Sequence, residues 1–196
     1  MAARKCRHFY GMKVVGFHGT TEQGRLDIQR DGIRTANRLN RRPKWLGMGF
    51  YLFQDAPQAA RLWASEVGRR RSQKPAVLKA TIDLRDCVDL TDIAYWKLFE
   101  DNKHNLGVPD RAQIGPEALF RSLSEEENRE LYANYEDDHY ITAFVALLEK
   151  EGHPVRSIRA AFMEGSPIHT RSWLLDRSHV AICVRSDDVI EHAEWI

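Results

Sequence analysis

Apolar and polar positions along this chain switch between two periods, and the switches mark out its elements. Lys13-Val14-Val15-Gly16-Phe17-His18-Gly19-Thr20 opens with an apolar run too short for a helix, which predicts a strand running into a turn at His18-Gly19. Thr20 or Thr21 suits an N-cap, and a short helix to Arg30 is expected to stop at Asp31-Gly32. Gly47-Met48-Gly49-Phe50-Tyr51-Leu52-Phe53 reads as a glycine-flanked apolar strand. Asp55 is then placed to cap a helix over residues 56–68, with Gln58 in the capping-box position and Pro57 tolerated in the first turn. Ala59, Leu62, Trp63 and Val67 would form its apolar face. A strand over 76–84 follows.

The second half is more helical. A helix is expected over 92–102, then a Gly- and Pro-punctuated segment to Pro116, then a polar helix carrying Glu125, Glu126, Glu127 and Glu130. The clearest helix covers 136–152: Ile141, Phe144, Val145 and Leu148 fall at i, i+3, i+4 and i+7, and Gly152-His153-Pro154 ends it. Strands over 155–163 and 179–185 close the chain around a Gly/Pro/Ser-containing loop. Irregularly mixed strands and helices predict an α+β fold rather than an alternating parallel sheet.

At 196 residues, with 43% apolar and 29% charged positions, the chain is expected to form a single domain with a real core, and disordered or fibrous classes are excluded. No stretch approaches the roughly 20 apolar residues of a membrane span, and the basic start is followed by no apolar signal segment, so no membrane and a cytoplasmic location are expected. Cys6, Cys87 and Cys183 form no CxxC and are odd in number. They read as core residues rather than a disulfide framework or a metal site. The net charge of +1 conceals an asymmetry: residues 1–85 hold 18 Lys+Arg against 6 Asp+Glu, and residues 86–196 hold 11 against 22. The two halves can neutralise each other within one fold, and the basic half can meet a polyanion; the two readings can coexist.

The nucleotide-loop, metallopeptidase and hydrolase signatures GxGxxG, GxxxxGK[ST], HExxH and GxSxG are all missing. Two segments stand out instead: Phe17-His18-Gly19-Thr20, and Leu46-Gly47-Met48-Gly49-Phe50-Tyr51-Leu52 followed by the helix that begins after Asp55. In these the chain resembles the ADP-ribosyltransferase superfamily, in its poly(ADP-ribose) polymerase and diphtheria-toxin-like branch with a His–Tyr–Glu pattern. The likeness is nearest to small bacterial toxin-type members. It covers roughly residues 13–85 and 172–190. It implies split antiparallel β-sheets flanked by helices, with residues 1–85 as the NAD-binding half and 86–196 carrying a helical insertion and the closing strands.

The resemblance implies NAD as substrate, no metal, and a transition state resembling an oxocarbenium ion, in which positioning and electrostatics do most of the work. His18 would hydrogen-bond the ribose and the Gly19 backbone would pair with the carboxamide, with Thr20 and Gly49 beside them. Tyr51 would stack on the nicotinamide, opposite a second wall at Trp63, although Trp63 also reads as plain core. Where the family places a glutamate, at the start of a late strand, this chain has Asp176-Arg177-Ser178-His179. His179 is the first replacement, with Ser178 and Asp176 behind it, and the missing glutamate favours transfer of one ADP-ribose over chain growth. Arg38, Arg41, Arg42 and Lys44 lie between the two motifs, in a loop that would overhang the cleft and contact an RNA or DNA acceptor. A protein acceptor, simple NAD hydrolysis and a non-catalytic NAD-binding module are the alternatives. The acidic 125–138 segment would meet an antitoxin-like partner or only solvent.

Overall fold

A computed structural model describes residues 12–33, 44–107 and 125–196, with 125–132 given by their helical backbone alone. Strands β1 (Lys13–Thr21), β2 (Phe50–Gln54), β3 (Pro75–Asp83), β4 (Cys87–Asp89), β5 (Ser157–Phe162), β6 (His179–Val184) and β7 (Ile190–Trp195) form one sheet in the order β4-β5-β6-β2-β1-β3-β7. Helices α1 (Glu22–Asp31), α2 (Pro57–Arg71), α3 (Ile93–Asn102) and α4 (Glu125–Lys150) complete a single α+β domain. Among the described residues only β4 and β5 pair in parallel.

The two separate sheets expected from the resemblance are thus one ladder, but a ladder with a narrow waist. β1 pairs with β3 at nine positions, from Lys13↔Asp83 to Thr21↔Pro75. It pairs with β2 at two, Gly16↔Gln54 and Phe17↔Phe53. Because β3 accompanies β1 as far as Thr21, the chain does not turn at His18-Gly19. The turn comes at Thr21, whose hydroxyl accepts the Gly24 N–H at 3.3 Å and caps α1, and α1 ends at Gly32 with φ 76°.

Helix α2 departs from its predicted form at both its start and its face. Asp55 adopts φ 51° and its carboxylate accepts from Gln54 Nε2 at 3.2 Å, so Ala56 stands at the N-cap without a side-chain bond. The buried stripe is Ala60, Ala64 and Gly68. Leu62 and Trp63 are left about half exposed, at 47% and 45%. Small residues win because α2 lies directly on β1: a Cβ on Gly19 would sit 2.1 Å from the Ala60 carbonyl oxygen. Phe17 and Val77 fill the remaining space beneath the helix.

The polar and amphipathic helices predicted around residue 130 are one continuous helix, α4, whose Ile141, Phe144, Val145 and Leu148 are buried as their spacing required. They pack with Val88, Ile158 and Cys183 from β4, β5 and β6. β4 and β7 are additions to the predicted set. β4 is three residues long, and β7 reads Ile-Glu-His-Ala-Glu-Trp, an edge strand with its middle exposed to water.

β7 also shows where the opposite charges of the two halves go. Glu191 pairs with Lys13 at 2.7 Å and Glu194 with Lys79 at 2.7 Å, so acidic residues from the end of the chain lie against basic ones from its beginning. Cys87 and Cys183 are buried free thiols, and Cys6 lies outside the described residues. Among the described residues no helix is long and apolar enough to cross a membrane.

Candidate active site

β6, β2 and β1 lie side by side, and each contributes to a cavity of about 290 Å3 lined by His18, Tyr51, His179, Trp63 and Gly19. Aromatic walls come from Tyr51, Trp63, Trp45 and Phe53. A concave, mostly apolar chamber with a few converging polar groups is the usual form of a small-molecule site.

Both imidazoles are held in a defined way. His18 Nδ1 lies 2.8 Å from the Tyr51 carbonyl oxygen. A carbonyl only accepts, so Nδ1 carries the proton and the neutral ring has its lone pair on Nε2. This bond crosses from β1 to β2 just where their ladder stops, and the Phe50 ring backs the imidazole at 4.2 Å. His179 Nδ1 donates to the Arg177 carbonyl at 2.9 Å, and its ring lies between Phe162, stacked at 5.8 Å, and the edge-on Phe53 at 4.7 Å.

Tyr51 is fixed by its hydroxyl, which donates to the Gly47 carbonyl at 2.7 Å and accepts the Leu46 N–H at 3.0 Å. Burial pushes the phenol far above its ordinary pKa, so it stays neutral and has no acid–base part. Tyr51 also lines the cavity. Lys44 Nζ sits 4.4 Å from the ring centroid, showing that the face takes a positive charge. Lys44, at the described end of the loop expected to overhang the cleft, lines the cavity. Arg38, Arg41 and Arg42 lie outside the described residues.

Other predicted residues take different places. Gly19 lines the cavity, but what demands glycine there is the backbone of α2 on its other side. Gly49 is pressed on β6, where a Cβ would lie 2.4 Å from Cys183 Sγ, and it does not line the cavity. Neither does Thr20, whose Oγ1 would be 2.2 Å from a Cβ on Gly24. Asp176 and Ser178 border an adjoining cavity instead. The Asp176 carboxylate accepts the Ser166 N–H at 2.9 Å and so helps to close the hairpin.

Two residues that sequence reasoning passed over enter the site. Glu164, just after β5, lines both cavities. It is held by a tight hairpin: its carbonyl accepts the Arg177 N–H at 3.2 Å, and Gly165 follows at φ 91°. A lone carboxylate opening the Glu-Gly-Ser-Pro turn after an apolar strand was the available signal. Asn134 of α4 lines the first cavity, and its buried Oδ1 has no hydrogen-bond partner among the described residues. No sequence signal marked it. Among the described residues no cluster of three or more metal-binding side chains occurs. Neither a protein-family model nor any curated protein matches this chain.

Proposed function

We propose that this protein is a mono-ADP-ribosyltransferase that cleaves NAD and passes the ADP-ribose to a macromolecule, the chemistry of a bacterial toxin or antiphage effector. The observation that carries this reading is the convergence of His18, Gly19, Tyr51, Trp63 and His179, scattered over 160 residues of sequence, on one cavity. The residues fit the nicotinamide end of the substrate. A pyridinium ring can stack on the Tyr51 face by displacing the Lys44 ammonium that lies over it, and the partnerless Asn134 Oδ1 offers an acceptor for a carboxamide N–H. At about 290 Å3 the chamber suits that end of the molecule rather than the whole dinucleotide.

The chemistry then follows from charge. The glycosidic bond breaks with its electron pair going to the pyridinium nitrogen, which leaves as neutral nicotinamide and needs no acid. Positive charge builds on the ribose, and Glu164 is the carboxylate of the cavity wall that offsets it. His18 holds a ribose hydroxyl through Nε2. The acceptor attacks the anomeric carbon, and its displaced proton goes to Glu164 or His179.

The test is nicotinamide release from NAD. His18→Ala and Tyr51→Ala should each lower the rate by about tenfold or more, since each removes part of the positioning. Unchanged rates in both variants would refute the assignment.

A further inference from the structure

A second cavity, of about 230 Å3, adjoins the first, and Phe53, Trp63, Glu164 and His179 belong to both. Its other side is the outward stripe of α2, with Ala59, Leu62 and Glu66, and its rim is the hairpin base Asp176-Arg177-Ser178. Leu62 and Trp63, about half exposed, give it an apolar floor. Three acidic residues, Glu66, Glu164 and Asp176, line it with one arginine, Arg177, and the Asp176 carboxylate also holds the Ser166 N–H. Glu66 is flanked by Arg177 at 4.0 Å and Arg70 at 3.8 Å, and both arginines are more than half exposed.

An occupant must cover the apolar floor, bring positive charge to the carboxylates and present a nucleophile at the shared wall. A nucleic-acid phosphate meets the wrong sign here. On the reading of the first cavity as the NAD site, we infer that the second cavity seats the acceptor, and that the acceptor is a cationic side chain of a protein, arginine or lysine. An aliphatic stem lies on Leu62, and the charged head reaches the carboxylates. A guanidinium would in addition stack on Trp63. In the transfer, the bond between nicotinamide and the ribose carbon breaks, a bond from the acceptor nitrogen to that carbon forms, and one proton leaves the nitrogen for the Glu164 carboxylate and then water.

The experiment incubates the full-length protein and its variants with NAD labelled in the adenylate, offering an arginine peptide, a lysine peptide, their glutamine analogue, RNA and DNA. Label should enter the arginine or lysine peptide, and which of the two identifies the head group. Glu66→Gln should raise the peptide KM about tenfold, as expected for losing one charged partner. Arg177→Gln should lower KM severalfold by removing the competing cation, while Glu100→Gln on α3, which lines neither cavity, should leave it unchanged. Opposite shifts from two neutralising variants cannot come from misfolding. Label on RNA, DNA or the glutamine analogue but on neither cationic peptide would overturn the acceptor assignment and leave the NAD site standing. KM shifts of the same sign for both variants would do so too. No nicotinamide release with any acceptor would remove both readings.

Discussion

Tyr51 divides its work between hydroxyl and ring. The hydroxyl ties the 46–47 turn through two hydrogen bonds, and the ring faces the cavity. Tyr51→Phe should therefore cost about 1–3 kcal/mol in denaturant unfolding, because a carbonyl and an N–H lose their partner, while nicotinamide release stays within about threefold of wild type. Loss of turnover as severe as in Tyr51→Ala would mean that the hydroxyl takes part in the reaction. That His18 and Tyr51 would meet at one cavity was legible in the sequence because each stands in an unusual glycine-bearing setting. Asn134 was not, since a polar residue on a polar stretch of helix announces nothing until the fold turns it inward. Glycines were legible as positions of close approach but not as to what approaches: at Gly19 it is a helix backbone, at Gly49 a neighbouring strand.

Elements were read best where periodicity acts alone. The buried face of α4 followed from spacing, whereas that of α2 did not, because a helix crossing a strand at a glycine selects its smallest side chains. That choice frees Leu62 and Trp63 to line the two cavities. The hairpin after β5 was legible only as a loop, since its order comes from Asp176, ten residues from the turn it clamps. Gly165→Ala tests this element. A Cβ there would lie 2.0 Å from Asp176 Oδ1, and the backbone sits at φ 91°. The substitution should destabilise the fold by about 2 kcal/mol. It should also reduce NAD cleavage, because Glu164 moves with the turn. A variant with full turnover would show that the hairpin does not position Glu164.

At the scale of the molecule, the basic and acidic halves of the sequence do not form two lobes. They interleave, β6 beside β2 and β7 beside β3, and so the +12 of the first 85 residues is partly met by pairs such as Lys13–Glu191. Exposed pairs of this kind add little because water and salt screen them, and stability rests on the core instead. That core contains two thiols, Cys87 and Cys183, which burial pushes up to about 12. Unfolded, they would ionise near 8.5. Between those values the native chain holds more protons than the unfolded one, so stability is retained below about pH 8.5 and lost as pH rises toward 12. The slope should be about 1.4 kcal/mol per pH unit per thiol. Denaturant melts at pH 8 to 11 measure this, and Cys183→Ala should flatten the slope; a midpoint independent of pH over that range would contradict the burial described.

The waist between β1 and β2 has a mechanical meaning. Two rungs, the Asp55 N–H on the Val15 carbonyl at 2.8 Å and one imidazole join the strands there, so this is the thinnest seam of the sheet beside the nine rungs between β1 and β3. On the proposed reading, a substrate held by His18 on one side and by His179 on the other would brace that seam and so finish the scaffold that holds it.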